Sequence, residues 1–258
     1  MYEKELEAMI EVALHAQKVI MEIYNTNFEV EIKSDNSPVT QADKLADELI
    51  RKELGAKFPE YGFLTEESQD TKERLTKEYI FIVDPVDGTK EFVSHNGEFC
   101  TNIGLCHNHE IVAGVINLPA QNRLYYGSKG NGAFRLENGE STRLHVSDRK
   151  ENLRCALSRS FLQPEEVALL DRNENRLESR FKIGAAMKFC MIAEGTADIS
   201  IRLSSGTKEW DTAAGDIILS EAGGCMVKLD GTRWTYNREN VHNVGGYELL
   251  NSIDNLLL

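Results

Sequence analysis

The sequence predicts a mixed fold in two halves: an α+β half over residues 1–147 and an α/β half over 148–258. Three observations predict it. Apolar residues recur at helical spacing over residues 3–24 and again after Thr40. Between Thr101 and Leu136, short apolar and β-branched runs are punctuated by turn residues. Beyond residue 147, short strands and helices alternate singly. With 258 residues and 41% hydrophobic content, the chain can bury a large core.

The elements follow in order. Leu6, Met9, Ile10, Ala13, Leu14, Gln17, Ile20, Met21 and Tyr24 mark one face of a first helix, whose role is core packing. Residues 28–32 alternate like a strand, and 33–38 form a polar loop. Thr40 opens a second helix with an apolar face at Ala42, Leu45, Ala46, Leu49, Ile50 and Leu54. Thr40 and Asp43 are three apart, the spacing of a variant capping box. Asp43 therefore reads first as a capping residue, although a carboxylate in a first turn can also face a catalytic water. Residues 63–68 end a short apolar piece with Glu66 and Glu67. Adjacent carboxylates repel unless neutralised. A cation can do that, and exposure to water is the commoner means. Residues 69–78 read as a charged, solvent-facing stretch.

The stretch from Tyr79 to Phe92 is the most informative. Ile80–Val83 is β-branched and apolar, a buried strand, and Pro85 is expected to stop it at Asp84. Gly88 permits a sharp turn, and Thr89 can begin a helix. Asp84 and Asp87 would flank this corner with the Val86 carbonyl between them. Three oxygens converging there suit a hard divalent cation. The amides of Asp87, Gly88 and Thr89 would open the helix, where free N–H groups attract an anion. The plainer reading is a surface turn in which Asp87 caps a helix.

After Phe92, runs at 101–106, 111–118, 123–128 and 133–136 predict an antiparallel meander. In the second half, 155–158, 197–201 and 225–229 read as strands. Residues 164–173, 187–193 and 210–222 read as helices, the last closed by Gly223 and Gly224. Asp211 stands in the first turn of that last helix. Small residues follow it, which lets the helix approach another segment closely. Its plainer role is to complement the helix dipole.

The formal net charge of −13 argues against binding polymeric nucleic acid or an anionic membrane surface. The N-terminus is charged and lacks the apolar stretch of a signal peptide, and no run reaches membrane-spanning length. Five dispersed cysteines without Cys-x-x-Cys spacing read as reduced core thiols of a cytoplasmic protein, not as a zinc site. The six histidines, His15, His95, His107, His109, His145 and His242, form no evident set.

Four motifs carry a resemblance that runs from Lys33 through Ala222. They are Val39-Thr-Gln-Ala-Asp43, Glu66-Glu67, Asp84-Pro-Val-Asp-Gly-Thr89 and Trp210-Asp-Thr-Ala-Ala214. In this order the chain resembles the inositol monophosphatase superfamily of Mg²⁺-dependent, lithium-sensitive phosphatases. Lys90-Glu91-Phe92, Asn96-Gly-Glu98-Phe99 and the segment from Lys188 to Gly195 are most similar to bacterial 3′(2′),5′-bisphosphate nucleotidases. The resemblance implies a layered αβαβα sandwich with the site between the two halves. It implies that Glu66, Asp84 and the Val86 carbonyl hold one Mg²⁺, that Asp84, Asp87 and Asp211 hold a second, and that Glu66 helps hold a third through water. Asp43 and Thr89 would orient and deprotonate the attacking water, and the Gly88 and Thr89 amides would bind phosphate. Two metals about 4 Å apart can activate water, clamp charge and stabilise the leaving oxygen of an in-line displacement, so no histidine is required.

The chain departs from the nucleotidase pattern in two places. Gly184-Ala185-Ala186-Met187-Lys188 replaces Gly-Ser-Ser-Leu-Lys, and residues 201–209 replace a Pro-Arg-x-Gly-Pro-Thr approach to the Trp-Asp helix. The expected activity is hydrolysis of a small phosphate ester, foremost the 3′-phosphate of adenosine 3′,5′-bisphosphate, with Lys188 a candidate for the distal phosphate. An inositol or fructose-1,6-bisphosphate phosphatase and a catalytically silent anion-binding protein are the alternatives.

Overall fold

A computed structural model describes residues 2–33 and 38–257. The expected polar loop at 33–38 thus lies largely outside the described residues. Helices α1 (Glu3–Tyr24) and α2 (Gln41–Lys57) flank a small antiparallel pair, β1 (Val30–Ile32) and β2 (Pro38–Thr40). The first strand begins later than its alternation predicts. Phe28 instead turns inward, its ring 4.9 Å from that of Phe92, so burial wins over pairing.

A seven-stranded sheet follows, in spatial order β3 (Gly62–Thr65), β4 (Tyr79–Asp87), β5 (Cys100–His107), β6 (Glu110–Leu118), β7 (Arg123–Ser128), β8 (Gly132–Glu137) and β9 (Glu140–Arg143). From β4 onward every neighbouring pair is antiparallel, the expected meander. The β9 strand was not expected, because its four residues are all exposed and carry no apolar alternation. The β3–β4 pair is parallel. That matters for function, since it brings the segment after Thr65 beside the C-terminal end of β4. The Glu66 amide donates to the Val83 carbonyl at 3.1 Å.

After β4 come the short helix α3 (Thr89–Val93) and, later, β10 (Leu153–Ser158), α4 (Pro164–Arg172), β11 (Leu177–Ile183), α5 (Met187–Ala193), β12 (Ile199–Arg202), α6 (Glu209–Glu221), β13 (Cys225–Lys228) and β14 (Tyr247–Leu250). The second sheet runs β11-β10-β12-β14-β13. Its β10 strand is parallel to both neighbours, whereas β14 is antiparallel to β12 and β13. The sequence reading missed β14, which has four residues and a buried Glu248 in place of an apolar side chain.

Helices α1 and α2 cover one face of the first sheet through Val12, Ile20, Ile50, Phe81 and Leu105. Helices α5 and α6 fill the space between the sheets, and α4 packs Leu169 and Leu170 on the far side of the second. This is the expected αβαβα order. Glycine makes the central layer possible. A Cβ on Gly114 of β6 would fall 2.6 Å from the Ala214 carbonyl oxygen, and one on Gly215 would fall 2.3 Å from the Phe189 ring. Helix α6 thereby lies directly on the first sheet, although it comes from the second half of the sequence.

The stretch 69–78 is not uniformly solvent-facing. Arg74 is buried, and its guanidinium bonds to Asp70, the Asn237 side chain and the Arg238 carbonyl. Asp70 is a local partner, but Asn237 and Arg238 lie more than 160 positions away, so local charge pattern could not reveal them.

Candidate metal and phosphate site

The corner after β4 forms differently from expectation. Pro85 does not end the strand. Asp84 pairs with Asn102 and Asp87 with Cys100, so Pro85 and Val86 both lie opposite Thr101. This is a bulge, a position where a residue without an N–H is tolerated. The Thr101 hydroxyl donates to the Pro85 carbonyl at 2.8 Å and fixes it. Gly88 then adopts φ +88°, and α3 starts at Thr89. A Cβ on Gly88 would meet the Glu98 carbonyl oxygen at 3.0 Å and Ala185 Cβ at 3.2 Å.

The bulge brings Asp84 and Asp87 together, and the first turn of α6 adds Asp211. One carboxylate oxygen from each lies within 4.8 Å of the others. Each residue also has a fixed orientation. The Val86 amide donates to Asp84 Oδ1 at 3.1 Å, the Asn102 amide group to Asp87 Oδ2 at 3.2 Å, and the Lys208 amide to Asp211 Oδ2 at 2.5 Å. The capping role of Asp211 is therefore real and occupies one of its oxygens.

Burial raises Asp84 well above the usual carboxylate range, and the negative charges of Glu66, Asp87 and Asp211 add to it. Burial, Asp87 and Glu66 do the same to Asp211. Burial pushes Asp87 up to about 6 against the opposing pull of Lys188. Like charges this close and this dry oppose joint ionisation unless a cation neutralises them. An all-oxygen donor set suits a hard divalent ion such as Mg²⁺ better than zinc, which favours nitrogen and sulfur ligands.

Glu66 lines the same cavity but is outside the three-carboxylate cluster. Its Oε1 accepts from Lys33 Nζ at 3.1 Å, and the same ammonium reaches Glu67 Oε1 at 2.5 Å. One lysine thus bridges the paired acids and offsets one of their two charges. Burial pushes Glu67 up to about 7 even with Lys33 opposing it. Sequence reasoning missed Lys33, whose ammonium meets these acids only once β1 and β3 are in place. The Val86 carbonyl accepts the Thr89 hydroxyl at 3.2 Å.

Both readings of Asp43 hold at once. Its Oδ2 accepts the Thr40 amide at 2.8 Å and the Thr40 hydroxyl at 2.6 Å, a complete cap. Its Oδ1 faces the Thr89 hydroxyl at 3.4 Å. Burial raises the Asp43 carboxyl, and the Thr40 bonds only partly offset this.

Glu66, Asp84, Val86, Asp87, Thr89 and Asp211 line a cavity of about 440 Å³ that also contains Lys90, Phe161, Lys188, Arg202 and Lys208, whereas Asp43 does not line it and reaches it only through Thr89. Lys188 Nζ donates to the Ala185 carbonyl at 2.6 Å, and burial lowers it despite the nearby Asp87. Arg202 is buried, donates to the Phe161 carbonyl at 2.6 Å, and leaves its Nε without a partner. Lys90 Nζ stands 4.1 Å from the Phe161 ring centroid. Phe161 is exposed and was not anticipated, because a single aromatic in a loop gives no periodic signal. Among the described residues no histidine lines the cavity.

The sequence matches the profile of the inositol monophosphatase family over residues 1–253. The chain belongs to that family. Among curated relatives, this inositol monophosphatase family chain is 36% identical over 245 residues to the 3′(2′),5′-bisphosphate nucleotidase CysQ of Salmonella typhimurium, covering 93% of this chain and 97% of the relative. Among solved structures, it superposes on CysQ of Bacteroides thetaiotaomicron with a TM-score of 0.82 at 33% identity, covering 96% and 97% of the two chains. An inositol monophosphatase (IMPase) of Thermotoga maritima also gives a TM-score of 0.82, at 25% identity, over 98% and 96%. The layered architecture of this family member is that of its relatives. Among its described residues no helix is long and apolar enough to cross a membrane.

Proposed function

We propose that this chain is a Mg²⁺-dependent phosphomonoesterase that removes the 3′-phosphate of adenosine 3′,5′-bisphosphate to give AMP and phosphate. One observation carries the choice of substrate. The cavity that holds three clustered carboxylates also holds Lys90, Lys188, Arg202 and Lys208, and among the described residues none of these four forms an ion pair. In a chain of net charge −13, unpaired cations around one cavity fit a ligand with a second anionic group.

In this reading Asp84, Asp87 and Asp211, with Glu66 and the Val86 carbonyl, hold two to three ions. When bound, Mg²⁺ supplies charge against the phosphate and leaving oxygens and lowers the pKa of the attacking water. The chain's own residues do the rest. Thr89, held between the Val86 carbonyl and Asp43, orients that water and passes its proton to the Asp43 carboxylate. The Gly88 and Thr89 amides receive phosphate oxygens. Lys188 and Arg202 receive the second phosphate, and the Phe161 face takes the base. We also propose that the two halves meet near residue 147, between Arg143 at the end of one sheet and Leu153 at the start of the other. A cytoplasmic location goes with this reading, supported by five free, buried thiols.

The test is phosphate release with Mg²⁺ from adenosine 3′,5′-bisphosphate, inositol 1-phosphate and fructose 1,6-bisphosphate. The bisphosphate nucleotide is expected to have the highest kcat/KM. Faster turnover of inositol 1-phosphate would assign the site to the inositol phosphatase alternative. Nucleotide binding without phosphate release would indicate a silent binding protein.

A further inference from the structure

One carboxylate with no part in the chemistry above holds the wall of the cavity together. Glu98 lies between two glycines that line it. Its carbonyl oxygen would be 3.0 Å from a Cβ on Gly88, at the phosphate corner, and 2.7 Å from a Cβ on Gly184, beside the leaving-group wall. Its side chain is committed on the wall side alone. The carboxylate accepts the buried Gly184 amide at 2.8 Å and the Arg159 guanidinium through both Nε and Nη2, the latter at 2.6 Å. Arg159 Nη2 also donates to the Lys182 carbonyl at 2.8 Å. The next residue, Ser160, donates to the buried Glu91 at 2.5 Å. Residues 158–161, which bring Ser158 and Phe161 to the cavity, are therefore anchored to the segment that follows the phosphate corner.

We propose that Glu98 is a positioning residue that sets the leaving-group wall against the phosphate corner, and so governs affinity for an ester with a large leaving group. This rests on the phosphatase reading above. An exposed Arg–carboxylate pair alone has little effect. Glu98 has a larger one because the same carboxylate also satisfies a buried backbone amide, and two-point recognition fixes direction as well as distance. The proposal concerns ground-state binding, because Glu98 reaches no group that takes part in proton transfer.

The experiment compares Glu98→Gln, Arg159→Met and the double variant in the Mg²⁺-loaded full chain. Each single variant is expected to raise KM for adenosine 3′,5′-bisphosphate by about 5–10-fold with kcat within about twofold, the pattern of lost ground-state binding. Manganese affinity by calorimetry should be unchanged. The double variant should be no worse than the weaker single, because both remove one coupled contact. An unchanged KM in both single variants, or multiplicative effects in the double, would overturn the proposal. So would a fall in kcat together with metal affinity, which would mean that Glu98 supports the metal cluster or the fold as a whole. If the wild type cleaves inositol 1-phosphate and not the nucleotide, the substrate reading falls. The same KM comparison is then made on that ester, with the same outcomes deciding.

Discussion

Thr89 Oγ1 stands 3.4 Å from Asp43 Oδ1, across 46 positions of sequence. Asp43 gives its other oxygen to Thr40, so one side chain both closes the start of α2 and faces the phosphate corner. The two duties can be separated by mutation. Asp43→Asn keeps the shape and an acceptor for the Thr40 amide but loses the proposed proton acceptor. It is expected to lower kcat by about 10²–10⁴-fold, to leave metal affinity intact, and to lower stability by about 0.5–2 kcal/mol through the weakened cap. Steady-state kinetics, metal titration and thermal melts check the three parts. A drop in Tm with unchanged kcat would leave Asp43 a cap and nothing more.

Asp84 has the opposite profile. It is buried among Glu66, Asp87 and Asp211, and among the described residues no cationic side chain is bonded to it. Asp84→Asn should cost at least about 10³-fold in turnover, because ligands shared by a metal cluster act as a unit. The same change removes like-charge repulsion, so the metal-free protein should melt at a higher temperature than metal-free wild type. Calorimetry with and without Mg²⁺ checks both directions, and the Mg²⁺-induced rise in Tm should be lost.

Gly114→Ala tests the close layer. The added methyl would meet the Ala214 backbone at 2.6 Å, and backbone cannot yield as a flexible side chain does. The expected destabilisation is about 1–3 kcal/mol from overpacking. Because α6 carries Asp211, metal affinity should fall as well. Denaturant unfolding paired with metal titration would detect both losses.

Asp198 gives the chain an acid-sensitive tie near residue 147. Burial would raise its carboxyl, but bonds from Arg154 and Ser147 outweigh it and hold it below the usual carboxylate range. A folded-state value below the unfolded one stabilises the protein above the unfolded value of about 3.9. That contribution is lost as pH falls through the lower folded value. Asp198→Asn should be less stable than wild type at pH 6, and the gap should narrow as pH falls below about 4. Urea midpoints across that range check the sign.

Much of this was legible in the sequence. Helical spacing located α1 and α2, turn residues located the meander, and Gly88 located the corner. The failures share a cause, which is that the deciding partner lies far along the chain. Pro85 looked like a strand end because the bulge opposite Thr101 needs β5 to be seen. Arg74 looked exposed because Asn237 covers it from the other half. Glu67 looked solvated because Lys33 arrives from β1. The polar β9 and the short β14 have no periodic signature at all. Glu66, Asp43 and Asp211 were readable because each follows a strand end or stands in the first turn of a helix, and Asp84 and Asp87 because Pro85 and Gly88 mark the corner.

The account rests on Asp84, Asp87 and Asp211 sharing a divalent cation. Anomalous diffraction from crystals grown with Mn²⁺ tests this most directly. The account predicts a peak bounded by oxygens of all three carboxylates, absent in Asp84→Asn. No peak there, with Mn²⁺ bound elsewhere or not at all, would contradict it.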